Sequence, residues 1–281
     1  MKQKKLPSLL GGSMIIAGTA IGAGMLANPT AMSGIWFLGS VILFLIIWGI
    51  TTLSALMLLE ANLHFEKGAN FDTITTQLLG KGWNIFNGIS VAFTLYILTY
   101  AYITSGGSIT KSLLNRFVPE LPINHTFAAL LFCLALALFV SISTKAVDRM
   151  STILISGMVI AFFLSTTGLL SSAKSEILLN TVAHTETSYL PYLFSAIPTC
   201  LVSFGYHICV PTLVNYYDKK SKKVIYSILI GSLLALIIYI SWQMAVQGNL
   251  PRGEFAPIIS KGGDVATLLS ALNRYIPVLS I

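Results

Sequence analysis

Two apolar stretches of this sequence contain residues that interrupt a helix. Residues 11–29 read GGSMIIAGTAIGAGMLANP, and residues 195–213 read SAIPTCLVSFGYHICVPTL. Glycine weakens a helix by about 1 kcal/mol relative to alanine, and proline removes a backbone donor and clashes with the preceding turn. We therefore expect each stretch to kink or unwind, which would free backbone N–H and C=O groups to bind a ligand.

Freed backbone groups of this kind suit a zwitterionic amino acid. The N-terminus of a half-helix presents free N–H groups and a positive dipole end to a carboxylate, and opened carbonyl groups can receive an ammonium group. Close helix packing is the alternative for the first stretch, because two of its glycines form a G-x-x-x-G motif. The candidate substrate-binding residues are Gly18, Thr19, Gly22 and Gly24 in the first stretch and Ser203, Phe204, Gly205 and Tyr206 in the second.

Two ionisable residues are candidates for proton coupling. His207 lies well inside an apolar stretch, where an ionisable group suggests a function, and imidazole titrates close to physiological pH. A neutral histidine bonded to the helix backbone is the alternative. Glu60 ends another apolar stretch. Gating or proton passage there competes with simple capping of a helix at the membrane surface.

No motif in the sequence favours an enzyme. Walker, G-x-S-x-G, H-E-x-x-H and paired-cysteine motifs do not occur, so an ATP-driven pump or a hydrolase has no support. Cys133, Cys200 and Cys209 all lie in apolar runs, where a thiol usually behaves as a small buried hydrophobic group. We expect no catalytic residues, no disulfide and no metal site.

The candidate residues must be positioned by membrane helices. Only 10% of the 281 residues are charged and 55% are hydrophobic, against about 25% charged in soluble domains, which excludes a soluble enzyme, a disordered chain and a disulfide scaffold. Because about 20 apolar residues cross a bilayer as a helix, the charge-free intervals predict an all-α integral membrane protein with about seven spans. The spans are expected near 9–29 and 36–59, and within 81–111, 120–145, 149–174, 186–218 and 223–252. Residues 61–82 could form an amphipathic helix along the inner surface.

The basic residues predict the orientation. With the N-terminus inside, most of the 17 Lys and Arg residues fall in cytoplasmic segments, as the positive-inside rule requires. The N-terminus is therefore expected in the cytoplasm. The run KKSKK at 219–223 is interpreted as a topology anchor, with a lipid-headgroup or nucleic-acid site as the alternative. Nucleic acid is not expected as a partner.

The first stretch also resembles a known family. The run IIAGTAIGAGM at 15–25, followed by Pro29 and Gly34-Ile35-Trp36, is similar to the first-helix signature of the hydroxy/aromatic amino acid permeases, which belong to the amino acid–polyamine–organocation superfamily. Further similar segments are LLEANL at 58–63, FDTIT at 71–75, LLGKGWN at 78–84, NGISVAF at 87–93, LYILTYAYI at 95–103, STKAV at 143–147, SFGYH at 203–207 and GNLPRGEF at 248–255. The resemblance covers essentially the whole chain and is strongest to the tryptophan permeases.

This resemblance implies an incomplete LeuT-like inverted-repeat transporter fold. It further implies proton-coupled symport of an aromatic amino acid, with tryptophan favoured, across the bacterial inner membrane into the cell. The proton gradient would drive the transport, with no other cofactor. The partners would be the aromatic substrate and the lipid bilayer. One transmembrane domain over 1–281 would contain a first five-helix repeat at 1–173 and part of a second at 187–281.

Three features depart from the family pattern. The chain ends at Ile281 with fewer helices than family members have, Ile208-Cys209 replaces a Gly-Asn pair, and Met158 stands where a lysine is often found. These departures leave alternatives open. They are a non-functional remnant, a half-permease that needs a separately encoded C-terminal fragment, and a non-transporting membrane sensor or channel.

Overall fold

A computed structural model describes most of the chain. The described residues are 7–117, 123–142, 157, 159–164, 166–181, 189–260, 263 and 265–275. Met158 and the segment STKAV at 143–147 lie outside them, so the expectations about these positions remain predictions. The described residues form helices and no strands, which confirms the all-α class.

The described residues contain twelve α-helices, numbered here in chain order. They are α1 (Leu9–Ala20), α2 (Ala23–Ala31), α3 (Trp36–Leu63), α4 (Phe71–Phe117), α5 (His125–Ile142), α6 (Val159–Ser172), α7 (Ser175–Leu178), α8 (Leu193–Ser203), α9 (Val210–Tyr216), α10 (Ser221–Gln247), α11 (Phe255–Ser260) and α12 (Val265–Tyr275). Short 3-10 turns at Leu190–Tyr192, Gly205–Cys209 and Arg252–Glu254 precede α8, α9 and α11.

Several of these helices are long and apolar enough to cross a membrane. Within the described residues, α3, α4, α10 and the helical stretch Leu190–Tyr216 meet that requirement, and the bent pair of α1 and α2 can form a fifth span. The helices α5 and α6 are apolar but shorter. The chain is thus a multi-pass helical membrane protein. The count of seven spans, the LeuT-like fold and the division into repeats at 1–173 and 187–281 remain predictions.

The helix α10 lies at the centre of the described bundle, where it packs against α1, α2, α3 and α9. Gly231 permits the close approach to α1, because a Cβ at this position would lie only 2.7 Å from the Cβ of Ile16. The side chain of Gln243 donates to Ser40 Oγ in α3 over 2.9 Å. In a bilayer, helix association depends on such close packing and interhelical hydrogen bonds, because lipid tails are as apolar as the side chains.

The helix α4 contains a sharp reversal at Gly80. This glycine has φ 84° and ψ 170°, a left-handed region that residues with a Cβ avoid. Asn84 Nδ2 donates to Asp72 Oδ1 over 2.6 Å, a contact that a straight helix could not make across twelve residues. The predicted amphipathic helix over 61–82 is therefore wrong as one element, because α3 runs on to Leu63 and α4 begins only at Phe71.

Beyond this reversal, α4 packs against α5 through small residues. A Cβ at Gly107 would lie 2.7 Å from the Cβ of Ala129, so the two backbones approach closely. Many large apolar side chains of the pair point outward, among them Phe86 and Ile89 of α4 and Leu134 of α5. Apolar faces of this kind match the hydrocarbon of a bilayer.

Candidate functional site

The first predicted interruption separates α1 from α2. The helix α1 ends at Ala20, Ile21 and Gly22 have non-helical backbone angles, and α2 begins at Ala23. The two helix axes differ by 44°. The N-cap position of α2, Gly22, provides no side-chain cap, so the first N–H groups of α2 lack a side-chain partner there.

The second interruption separates α8 from α9. The helix α8 ends at Ser203, Phe204 is non-helical, and a tighter 3-10 turn runs from Gly205 to Cys209 before α9 begins. Pro198 lies inside α8 without ending it. Pro211 lies in the first turn of α9, where its missing N–H costs little. The helix therefore opens at Phe204 and Gly205 and not at either proline.

The two breaks lie side by side and are joined by one tyrosine. Tyr239 in α10 directs its hydroxyl at the carbonyl oxygens of Ala20, 2.5 Å away, and Ser203, 2.7 Å away. These are the last residues of α1 and α8. Thr19 Oγ1 also lies 3.2 Å from Cys209 Sγ. Sequence reasoning missed Tyr239, because a tyrosine within an apolar run gives no signal of what it will contact.

The predicted glycines have different surroundings. Gly24 lies against α8, since a Cβ there would be 3.0 Å from Ser203 Cα, and Ser203 Oγ donates to Asn28 Oδ1 over 3.0 Å. A Cβ at Gly22 would lie 3.5 Å from the Tyr102 hydroxyl oxygen. Among the described residues, no packing partner lies within 4 Å of the Cβ position of Gly18 or Gly205. Close packing therefore explains Gly24, whereas the described residues show no G-x-x-x-G packing at Gly18.

Two predicted site residues belong to the packed core. Phe204 is fully buried, with its ring centroid 5.0 Å from that of Tyr239 and 6.2 Å from that of Phe44. Tyr206 is also fully buried and shares a 2.7 Å hydrogen bond with Thr52 of α3. Both rings point into the bundle in this conformation, and their role as substrate-binding residues remains a prediction.

A cavity of about 760 Å³ adjoins the breaks, a size typical of small-molecule sites. Since α2 follows the first break and α8 precedes the second, both helices extend to the same side, here named the cavity side. Gly24 is the predicted site residue that lines the cavity, and sequence reasoning missed the others. They are Leu26 and Ala27 of α2, Phe93, Thr94, Ile97, Leu98, Ala101, Thr104, Ser105, Ser108 and Ile109 of α4, His125 of α5, Pro198, Thr199 and Val202 of α8, and Gly263 and Val265.

The opposite side of the breaks, here named the closed side, is filled by a polar network around Tyr217. This fully buried tyrosine accepts hydrogen bonds from Gly12 N and Ser227 Oγ, both 3.0 Å away, and donates to Ser8 O at 2.8 Å. Three lysine contacts lie near it: Lys223 Nζ to Pro7 O (3.1 Å), Lys219 Nζ to Phe65 O, and the exposed ion pair of Lys67 with Asp218. Two lysines of the run at 219–223 therefore bind backbone carbonyl groups.

The proton-coupling candidates do not line the cavity. His207 lies in the 3-10 turn of the second break and is half-buried, and its Nδ1 is buried without a hydrogen-bond partner among the described residues. Glu60 is exposed near the C-terminal end of α3. Their roles in proton transfer remain predictions.

Comparison with known proteins identifies similar sequences over almost the whole chain. The tryptophan/tyrosine permease family matches residues 5–281. A tryptophan-specific transport protein of Haemophilus influenzae is 63% identical over 282 residues, covering 99% of this chain and 68% of the relative. A tryptophan-specific transport protein of Pseudomonas aeruginosa is 51% identical over 268 residues, covering 95% and 64%.

A tyrosine permease of Enterobacter agglomerans is 38% identical over 274 residues, covering 96% of this chain and 66% of the relative. The chain thus spans about two thirds of the length of these curated relatives. The matched family and relatives are transport proteins, which agrees with the expectation that the chain is not an enzyme.

Proposed function

The chain belongs to the tryptophan/tyrosine permease family, and on that premise we propose that it acts in secondary active import of an aromatic amino acid, with tryptophan as substrate. The observation that carries this proposal is the pair of adjacent helix breaks beside a cavity of about 760 Å³. Interrupted helices at corresponding positions are typical of transporter binding sites. The relatives named for tryptophan and tyrosine transport support the substrate class.

The carboxylate and the aromatic ring of the substrate would bind in different places in the site. The carboxylate would bind at the N-terminus of α2, where Gly22 leaves the first N–H groups without a side-chain cap and the helix dipole favours an anion. The aromatic ring would enter the cavity between α4 and α8, whose walls include Phe93, Ile97 and Val202. Gly24, in the first turn of α2, lines the same cavity, so the carboxylate site and the ring site adjoin each other.

The difference between the two sides supports a transport cycle. The cavity side is open, whereas the Tyr217 network fills the closed side. With the N-terminus in the cytoplasm of a bacterial inner membrane, this conformation would receive substrate from outside the cell. The proton gradient would drive the cycle without another cofactor. His207 is favoured over Glu60 as the proton carrier, because it lies at a break and its buried Nδ1 has no hydrogen-bond partner among the described residues. A separately encoded C-terminal fragment as partner stays a prediction.

Proteoliposomes containing the chain provide the test. We expect labelled tryptophan to accumulate against its gradient when the outside is made acidic, and the accumulation to vanish with a protonophore. Gly24→Leu should abolish it, because the new side chain would meet the backbone of Ser203. Gly49→Leu on α3, where a Cβ meets no described residue within 4 Å, is the matched control. If the chain neither binds nor accumulates tryptophan, the proposed function is wrong.

A further inference from the structure

We infer that hydrogen bonding by Tyr239 holds the two helix breaks together, which makes Tyr239 a positioning residue for the site between them. Its hydroxyl is the point where α1, α8 and α10 meet, at 2.5 Å from Ala20 O and 2.7 Å from Ser203 O. The consequence for substrate binding rests on the proposed function, whereas the hydrogen-bonded link between the breaks does not.

The chemistry of the two acceptors explains why a donor is needed there. The last carbonyl groups of a helix have no partner within the helix, and together they carry the negative end of its dipole. Ala20 and Ser203 end α1 and α8, so two negative helix ends converge on one buried point. Without a hydrogen between them the two oxygens would repel each other, and the hydroxyl hydrogen of Tyr239 offsets that repulsion.

The ring of Tyr239 is held so that its hydroxyl stays at this point. The residue is only 1% exposed, and its ring centroid lies 5.8 Å from that of Phe44 and 5.0 Å from that of Phe204. Aromatic pairs at these separations attract each other. Because α10 also packs closely on α1 through Gly231, the hydroxyl cannot leave without moving a helix. The two breaks are therefore expected to move together with α10.

A disulfide probe tests the link between the two breaks without any substrate. Thr19 Oγ1 lies 3.2 Å from Cys209 Sγ, so Thr19→Cys places two thiols across the breaks. Mild oxidation should cross-link them, and peptide mass spectrometry identifies the pair. Adding Tyr239→Phe should slow the cross-linking by about fivefold, since one buried hydrogen bond is lost. Tyr226→Phe, on the exposed face of α10, is the matched control and should leave the rate unchanged.

A rescue variant separates hydrogen bonding from packing. Replacing Tyr239 by 4-aminophenylalanine keeps the ring and supplies two N–H groups, so cross-linking should return to the rate of Thr19→Cys alone, even where Tyr239→Phe fails to fold. An unchanged rate in Tyr239→Phe, or a slow rate with the amino variant, would overturn the inference.

Tryptophan affinity, measured on Tyr239 variants that keep the native Thr19, extends the test to the site. The dissociation constant should rise about fivefold in Tyr239→Phe and return to the wild-type value with 4-aminophenylalanine. If wild-type protein binds no tryptophan while Tyr239→Phe still slows cross-linking, the proposed function is wrong but Tyr239 does link the two breaks. If the affinity of Tyr239→Phe stays at the wild-type value, Tyr239 does not position the site.

Discussion

The cavity side and the closed side of the helix breaks are made of the same helices but are held in different ways. On the cavity side, α2 and α8 stand apart from α4, and their facing residues are mainly apolar side chains with scattered hydroxyls. On the closed side, the hydroxyl of Tyr217 links the first turn of α1 to α10. The closed side therefore depends on directional hydrogen bonds to backbone, whereas the cavity side has space for a ligand.

Cysteine labelling is expected to give the largest difference between the sides. Ser105 lines the cavity, and Ser13 is 1% exposed on the closed side. A membrane-impermeant maleimide should therefore label Ser105→Cys about tenfold faster than Ser13→Cys, because thiol reactivity requires access. The unsubstituted protein, with Cys133, Cys200 and Cys209, gives the background. Equal rates would show that both sides are open or both are closed.

Removing one hydroxyl from the closed side should have an intermediate effect. Tyr217→Phe leaves Gly12 N and Ser227 Oγ without their acceptor and Ser8 O without its donor. Unsatisfied buried groups cost about 1–3 kcal/mol, so the purified protein in detergent should unfold at a clearly lower temperature. The neighbouring Tyr216→Phe, at an exposed residue, should unfold close to the wild-type temperature. A Tyr217→Phe midpoint equal to that control would contradict the role of the network.

Breaking the ion pair at the edge of the closed side should have the smallest effect. The side chains of Lys67 and Asp218 are 60% and 62% exposed, and exposed pairs contribute about 0–1 kcal/mol. Lys67→Ala should therefore lower the unfolding temperature only slightly, and high salt should remove the difference. A loss as large as that of Tyr217→Phe would mean that surface charge, rather than the buried hydroxyl, holds this side closed.

The sequence predicted where the helices open but not what holds the openings together. Clustered glycines marked the break at Ile21–Gly22, and Gly205 with the flanking Pro198 and Pro211 marked the second, because local backbone preference acts within a few residues. The role of Tyr239 depends on contacts with residues more than thirty positions away, which no local pattern records. The burial of Phe204 and Tyr206 was missed for a related reason. The face that a 3-10 turn presents to the core depends on the helices beside it.

The glycine at position 80 also sets the length of the part of α4 that can cross the bilayer. A straight helix of 47 residues would measure about 70 Å, more than twice the hydrocarbon thickness of about 30 Å. Folding back at Gly80 leaves a leg from 81 to 117 of about 55 Å, which still exceeds the 40–45 Å that includes the headgroups. This leg must therefore tilt or project into water, and a bilayer of different thickness should change its inclination.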